Sequence, residues 1–383
     1  MPSIVVGGSL AQRQGYGGHA WALLNYLLGF RSLGYEVLFL DRLTPEMATD
    51  ASGAPSEAVR DRCVRWLVET MERAGLGDSY SLLLGDGRET VGLSRADAVE
   101  RVRRSVLLLN VMGFVDDEEM LEAARRRVFL DIDPGFGQMW CDLGLHDPFV
   151  GHDAFLTVGE GIGGAECTIP TCGLDWIATP QPIALEHWPC TDGGTAITSV
   201  GSWRGPYDPV EYGGRRFGLR AHELRKLASL PSMTEARIEL ALEIDPADSK
   251  DIELLRENGW ALADPRQVAG DPWSYRSYVQ ASRAELMVAK EMYVETRSGW
   301  FSERSICYLA SGKPVIAQDT GFTGRYESGE GLIAYSDVDG ARAGIEAVCS
   351  DRARHSAAAR EIAEEHFDAR KVLTRLMAKL GEA

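Results

Sequence analysis

A chain of 383 residues, 45% of them hydrophobic, has room for two domains, each with its own core. Its net charge of −17 excludes the broad basic field needed to bind nucleic acid or dock on an anionic membrane, yet leaves room for a local basic pocket. No apolar run is long enough to span a bilayer, and MPSIVVGGSL enters a strand without a basic leader, so a cytoplasmic protein with no membrane insertion is expected.

Ser3 to Val6 reads as a short strand ending in Gly7-Gly8, and GYGG at 15–18 precedes a helix over about 19–33. EVLFLD, Glu36 to Asp41, completes a β-loop-α-β unit. Ser56 to Ala74 has helical periodicity; SLLLG at 81–85, SVLLLN at 105–110, Arg126 to Phe136 and Ala154 to Glu160 read as strands or strands running into turns. Residues 1–178 are therefore expected to form an N-terminal Rossmann-like domain. TPQPIALEHWP, 179–189, carries three prolines and reads as a linker. Beyond it, residues 190–360 read as a second α/β domain: strands at Ala196 to Ser202 and 237–244, helices at Arg220 to Ser229 and Asp248 to Asn258. Glu285 to Tyr293 is expected to end in a short strand. A helix should start near Ser302 and stop at Gly312, before the β-branched strand Pro314 to Ala317. The tail, about 339–381, reads as helical with a break near Phe367-Asp368.

Candidate chemistry collects at the strand-to-helix junctions, because ligands of open α/β sheets bind outside the carboxyl ends of the strands. Gly17 and Gly18 let backbone approach a ligand, and His19 sits where its imidazole can face a cleft and serve as a base near neutral pH. Ser298, Gly299, Trp300, Phe301 and Ser302 lead into the N-terminus of the helix that starts there, a ready anion site. Asp131, Asp133 and Glu160 are strand-end carboxylates able to orient His19, hold an acceptor or act as base; turn capping explains Asp133 equally well. Trp203 and Trp300 lie in loops where an aromatic ring can stack on a ligand. The seven scattered cysteines fit reduced thiols, and Cys167 and Cys172 lack the partners a zinc site requires.

The run ASGKPVIAQDTGF at 310–322 resembles the C-terminal domain of GT-B glycosyltransferases of the glycosyltransferase-4-like kind. That resemblance implies an α/β GT-B fold: two Rossmann-like domains facing across a cleft, with the last helix, 361–383, packing back on the first domain. It implies transfer of a sugar, without metal or cofactor, from a nucleotide diphosphate sugar, UDP- or dTDP-linked, to the hydroxyl of a bacterial secondary metabolite or cell-surface precursor. The resemblance places the donor diphosphate by Gly201, with Arg204 and Arg220 as its clamp, and the donor sugar by Asp319, Thr320 and Gly321. It gives His19 or Asp133 the catalytic role. The family's two glutamates fall at Gly299 and Cys307, neither acidic, and Glu303, one turn before Cys307, is positioned to take over the ribose contact. Two alternatives remain: a non-catalytic nucleotide-sugar-binding protein of the same fold, and an NAD(P)-dependent oxidoreductase with Asp41 on a ribose, which the glycine spacing fits less well.

Overall fold

The computed structural model describes residues 2–205 and 207–382. In the first half, the apolar runs form β1 (Ser3–Gly7), β2 (Glu36–Leu43), β3 (Tyr80–Leu84), β4 (Glu89–Gly92), β5 (Leu107–Val111), β6 (Arg127–Asp131), β7 (Ala154–Thr157) and β8 (Trp176–Ala178). They lie in the order β4-β3-β2-β1-β5-β6-β7-β8, all parallel except the edge strand β4. The inner strands β1, β3 and β5 are almost wholly buried because helices cover both faces of the sheet.

The second half contributes β9 (Ala196–Ser202), a hairpin of β10 (Val210–Tyr212) and β11 (Arg215–Phe217), then β12 (Arg237–Glu243), β13 (Ala261–Ala263), β14 (Ala284–Met287), β15 (Val315–Gln318) and β16 (Leu332–Tyr335). Its six-stranded sheet is parallel throughout, in the order β13-β12-β9-β14-β15-β16. In each sheet the first strand of the chain lies inside, with the chain winding away on both sides, so each has a switch point: β1 between β2 and β5, and β9 between β12 and β14.

Three expectations need correction. The strand placed over Glu285 to Tyr293 ends at Met287, and Glu291–Glu295 is a short helix that starts after Lys290, whose backbone is extended and whose amine reaches Asp133 of the first domain. Between β9 and Arg220, where no regular element was expected, the chain forms the hairpin, whose Gly213-Gly214 turn has φ of +58° and +74° at its two central residues. The C-terminal helical stretch breaks twice, at Asp351, which caps Arg352–Ile362, and at Asp368.

The linker and the returning tail run side by side. Ile183 bridges Asp368, with Ile183 N–H donating to Phe367 O and Ala369 N–H to Ile183 O. The last helix, Ala369–Lys379, then buries Leu373 and Ala369 against the helix Gly17–Ser32 of the first domain. A Cβ at Gly29 would lie 2.6 Å from Leu373 Cδ1 and 2.8 Å from Ala369 Cβ, so this glycine permits the close approach.

Candidate functional site

The two switch points face each other across a cavity of about 690 Å³. The first domain supplies Gly17, Gly18 and His19, the first three residues of the helix after β1, together with Tyr16 and Trp66. The second supplies Gly201 and Ser202 from the end of β9, Arg220, Glu243, Glu303 and Arg304. Of the two glycines of the helix start, Gly17 is sterically required and Gly18 is tightly fitted. A Cβ on Gly17 would collide with the Asp271 carbonyl, and one on Gly18 would press on the Tyr275 ring at 3.0 Å.

The basic part of the cavity is built at the β9/β14 switch. The two strands pair only through Ile197–Ala284 and Thr198–Glu285, and beyond that they splay. Arg304 enters the splay: its Nε donates to buried Glu285 at 2.5 Å, its Nη1 donates to Val200 O at 2.8 Å, and its buried Nη2 has no partner. Arg220 spans the opening above it, with Nε donating to Val288 O at 3.0 Å and Nη1 to Ser202 O at 3.3 Å. Gly201 has no side chain because the Arg220 guanidinium fills the place a Cβ would take. Among the described residues Arg220 has no carboxylate partner, and burial beside the Arg304 charge lowers its pKa to about 10. Two guanidiniums held at one strand end, one lacking a counter-ion, have the charge and the donor geometry to take an anion.

His19 is half-buried at the opposite wall, where its Nε2 lies 2.6 Å from Ser9 O. That contact makes Nε2 the protonated nitrogen and leaves Nδ1 as acceptor. Burial lowers its pKa, so the imidazole is neutral at pH 7.

Of the residues singled out in sequence, Gly17, Gly18, His19, Gly201, Arg220 and Glu303 therefore meet in one cavity. The others lie elsewhere. Arg204 is exposed and forks onto Asp248. Trp203 is buried, with its indole N–H on Asp251. Ser298, Gly299, Trp300 and Phe301 are packed into the seam between the domains: Gly161 N–H donates to Ser298 O, Gly299 N–H to Thr320 O, Trp300 bridges Gly159, and Phe301 stacks on Phe367. Ser302 is buried and caps its own helix by accepting from Arg304 N–H. Asp319 closes its own turn on Gly321 N–H and Thr323, and Thr320 Oγ1 donates to Trp300 O.

The carboxylates of the first domain are likewise engaged. Asp133 takes both hydrogen bonds of an ion pair with Lys290, at 2.7 and 2.6 Å, and another from the Tyr293 hydroxyl. Asp131 accepts from Gln138 and Thr157, and Glu160 from Tyr326. Asp41 is buried and accepts from the N–H groups of Leu10, Ala11 and Arg42, which closes it to a ribose. Among the described residues no cluster of three or more His, Cys, Asp or Glu side chains is placed to hold a metal ion, and no helix is long and apolar enough to cross a membrane.

Sequence reasoning missed Arg304, Glu243 and Tyr16. Arg304 did leave a signal: an arginine in the first turn of a helix opposes the helix dipole, and on the face of Cys307 and Tyr308 it must find buried acceptors.

No protein-family profile matches the sequence, and no curated protein matches it. Solved structures are similar over the whole chain. Anabaena HepE in complex with UDP and glucose is 12% identical, with 100% of both chains covered and a TM-score of 0.56. AviGT4, a glycosyltransferase involved in avilamycin A biosynthesis, is 12% identical over 99% of this chain and 97% of its own, with a TM-score of 0.52. An alpha-glucosyltransferase in complex with UDP and a 13-mer DNA containing an HMU base is 11% identical over 100% of both chains, with a TM-score of 0.60. At such identities the likeness shows the fold alone, and the fold is GT-B.

Proposed function

We propose that the protein is a glycosyltransferase, moving a sugar from a nucleoside diphosphate sugar to an acceptor hydroxyl. One observation carries the reading: the Arg220 guanidinium, without a carboxylate, bridges the ends of two diverging strands at a switch point and faces the first turn of the helix Gly17–Ser32. The free N–H groups of that turn and the positive end of the helix add to the attraction for an anion. UDP in the neighbouring structures supports a nucleoside diphosphate as the anion.

The chemistry follows from charge. As the bond between the sugar carbon and the diphosphate oxygen breaks, negative charge grows on the leaving phosphate, and two arginines fixed in a part-buried site stabilise it without reorganising. This reading needs neither metal nor cofactor. His19, neutral and with Nδ1 as acceptor, takes the proton of the attacking hydroxyl.

The test is turnover. With an acceptor present, the wild-type protein should release nucleoside diphosphate from its nucleotide sugar, while His19→Ala binds the nucleotide equally well and loses about 10²–10⁴-fold in rate. The rate of the wild-type protein should fall as the pH drops below 6.5, because the lowered imidazole pKa puts protonation there, and the variant should lack this limb. Transfer within a few-fold of wild type in His19→Ala removes the histidine from the chemistry. A second reading, binding without turnover, is favoured by the seam position of Gly299 and the burial of Cys307, where the resembling family carries glutamates. Tight nucleotide binding with no release from any donor would establish it.

A further inference from the structure

Resting on the reading that the cleft holds a nucleoside diphosphate, we infer that it selects guanine, with Glu243 and Arg266 reading the edge of the base. The donor would then be a guanosine diphosphate sugar, in place of the uridine or thymidine diphosphate expected from the sequence.

The argument starts from where a held diphosphate sends its nucleoside. Glu243 ends β12 in register with Ser202 of β9, one strand spacing of about 4.8 Å outward from the arginine pair. Along this edge the cavity wall is Glu243, Pro265, Arg266 and Gln267, with Tyr16 opposite on the first domain. The Glu243 side chain is 35% exposed. In the free protein the Tyr16 hydroxyl sits against both carboxylate oxygens, at 2.9 and 2.8 Å, and so occupies the two-oxygen edge that an incoming pair of N–H donors would take over. The Arg266 guanidinium stands 3.7 Å from one of those oxygens.

An ionised carboxylate only accepts hydrogen bonds and a guanidinium only donates them. The wall therefore reads acceptor, acceptor, donor. Guanine presents the complement along one edge: the 2-amino N–H, the N1–H and the O6 carbonyl. Uracil and thymine offer a single N–H between two carbonyl oxygens, so a carbonyl oxygen would be forced against the carboxylate. Adenine sets an unprotonated N1 beside its amine, and cytosine sets N3 beside its own, with the same consequence. Arg266 is 80% exposed and adds little by itself, but against the part-buried Glu243 carboxylate a mismatched acceptor costs more than a good bond contributes, which turns the acceptor pair into selectivity.

Tyr16 is 41% exposed and lines the cavity, so its ring is available to stack on the base. Burial and the Glu243 hydroxyl contact raise its pKa to about 12, and the phenol remains a donor to Glu243 over the physiological range. The N–H groups of guanine replace that donor when the base enters.

Titration calorimetry of the wild-type protein with GDP, IDP, UDP, dTDP and ADP in one buffer decides the assignment. GDP should bind most tightly. IDP, which lacks only the 2-amino group, should bind about ten-fold or more weakly, the loss expected for one hydrogen bond to a charged acceptor. Glu243→Gln should weaken GDP by about ten-fold or more while leaving UDP unchanged or tighter. Equal affinity for GDP and IDP, or UDP or dTDP binding as tightly as GDP, overturns the guanine assignment and leaves the nucleoside diphosphate reading standing. Failure of all five ligands to bind overturns both.

Discussion

At the scale of single residues, position relative to the β9/β14 splay separates arginines that serve the site from those that serve the surface. Arg220 and Arg304 point into the cleft from fixed backbone and carboxylate anchors. Arg204 is held by Asp248 outside it, although its residue type and loop position made it an equal candidate in the sequence. Arg220→Ala should weaken a nucleoside diphosphate by about 2–3 kcal/mol, measured by calorimetry, since it removes charge-assisted bonds to phosphate. Arg204→Ala should leave the affinity unchanged. Arg304→Ala should lose binding and stability together, because Glu285 is then left as an unpaired charge in the core. Wild-type affinity in both Arg220→Ala and Arg304→Ala would move the anion site elsewhere.

At the scale of elements, the segment 297–302 illustrates how far local pattern reaches. Ser302, the helix Glu303–Ala310 and the stop at Gly312, with φ of +68°, were all legible, because capping and left-handed glycines leave their mark in neighbouring residues. What the loop before that helix touches was not legible. Gly299 has φ of +71°, and a Cβ there would sit 2.5 Å from Gly161 N, so its glycine serves the contact between domains. Gly299→Ala should therefore destabilise the fold by about 2–4 kcal/mol in chemical denaturation, through backbone strain and overpacking, while leaving nucleotide affinity intact. A loss of affinity without loss of stability would restore the loop to the binding site. The β10–β11 hairpin left its mark only in the Gly213-Gly214 turn, since its strands are three residues each, and Arg215 pairs with Glu295. Strand order, and with it the pairing of Glu243 with Ser202, depends on contacts between distant segments that no local window contains.

At the scale of the whole molecule, two doubly wound sheets place their switch points on either side of one cavity, and the crossing of linker and tail at Ile183 and Asp368 joins the halves. Alternation of strands and helices with a proline-rich break made the two-sheet plan readable. The last helix keeps the first domain under it through the Gly29 contact, and Gly29→Val should cost about 1–3 kcal/mol by forcing Leu373 and Ala369 away, read as a lower denaturation midpoint. An unchanged midpoint would mean that the helix is free to shift. The central claim is that the cleft binds a nucleoside diphosphate between the two domains, and a crystal structure of the protein with a bound nucleoside diphosphate tests it most directly. The account predicts phosphate oxygens within hydrogen-bond distance of Arg220 and Arg304, facing the N–H groups of Gly17 and Gly18. A nucleotide bound outside this cleft, with the arginine pair untouched, would contradict it.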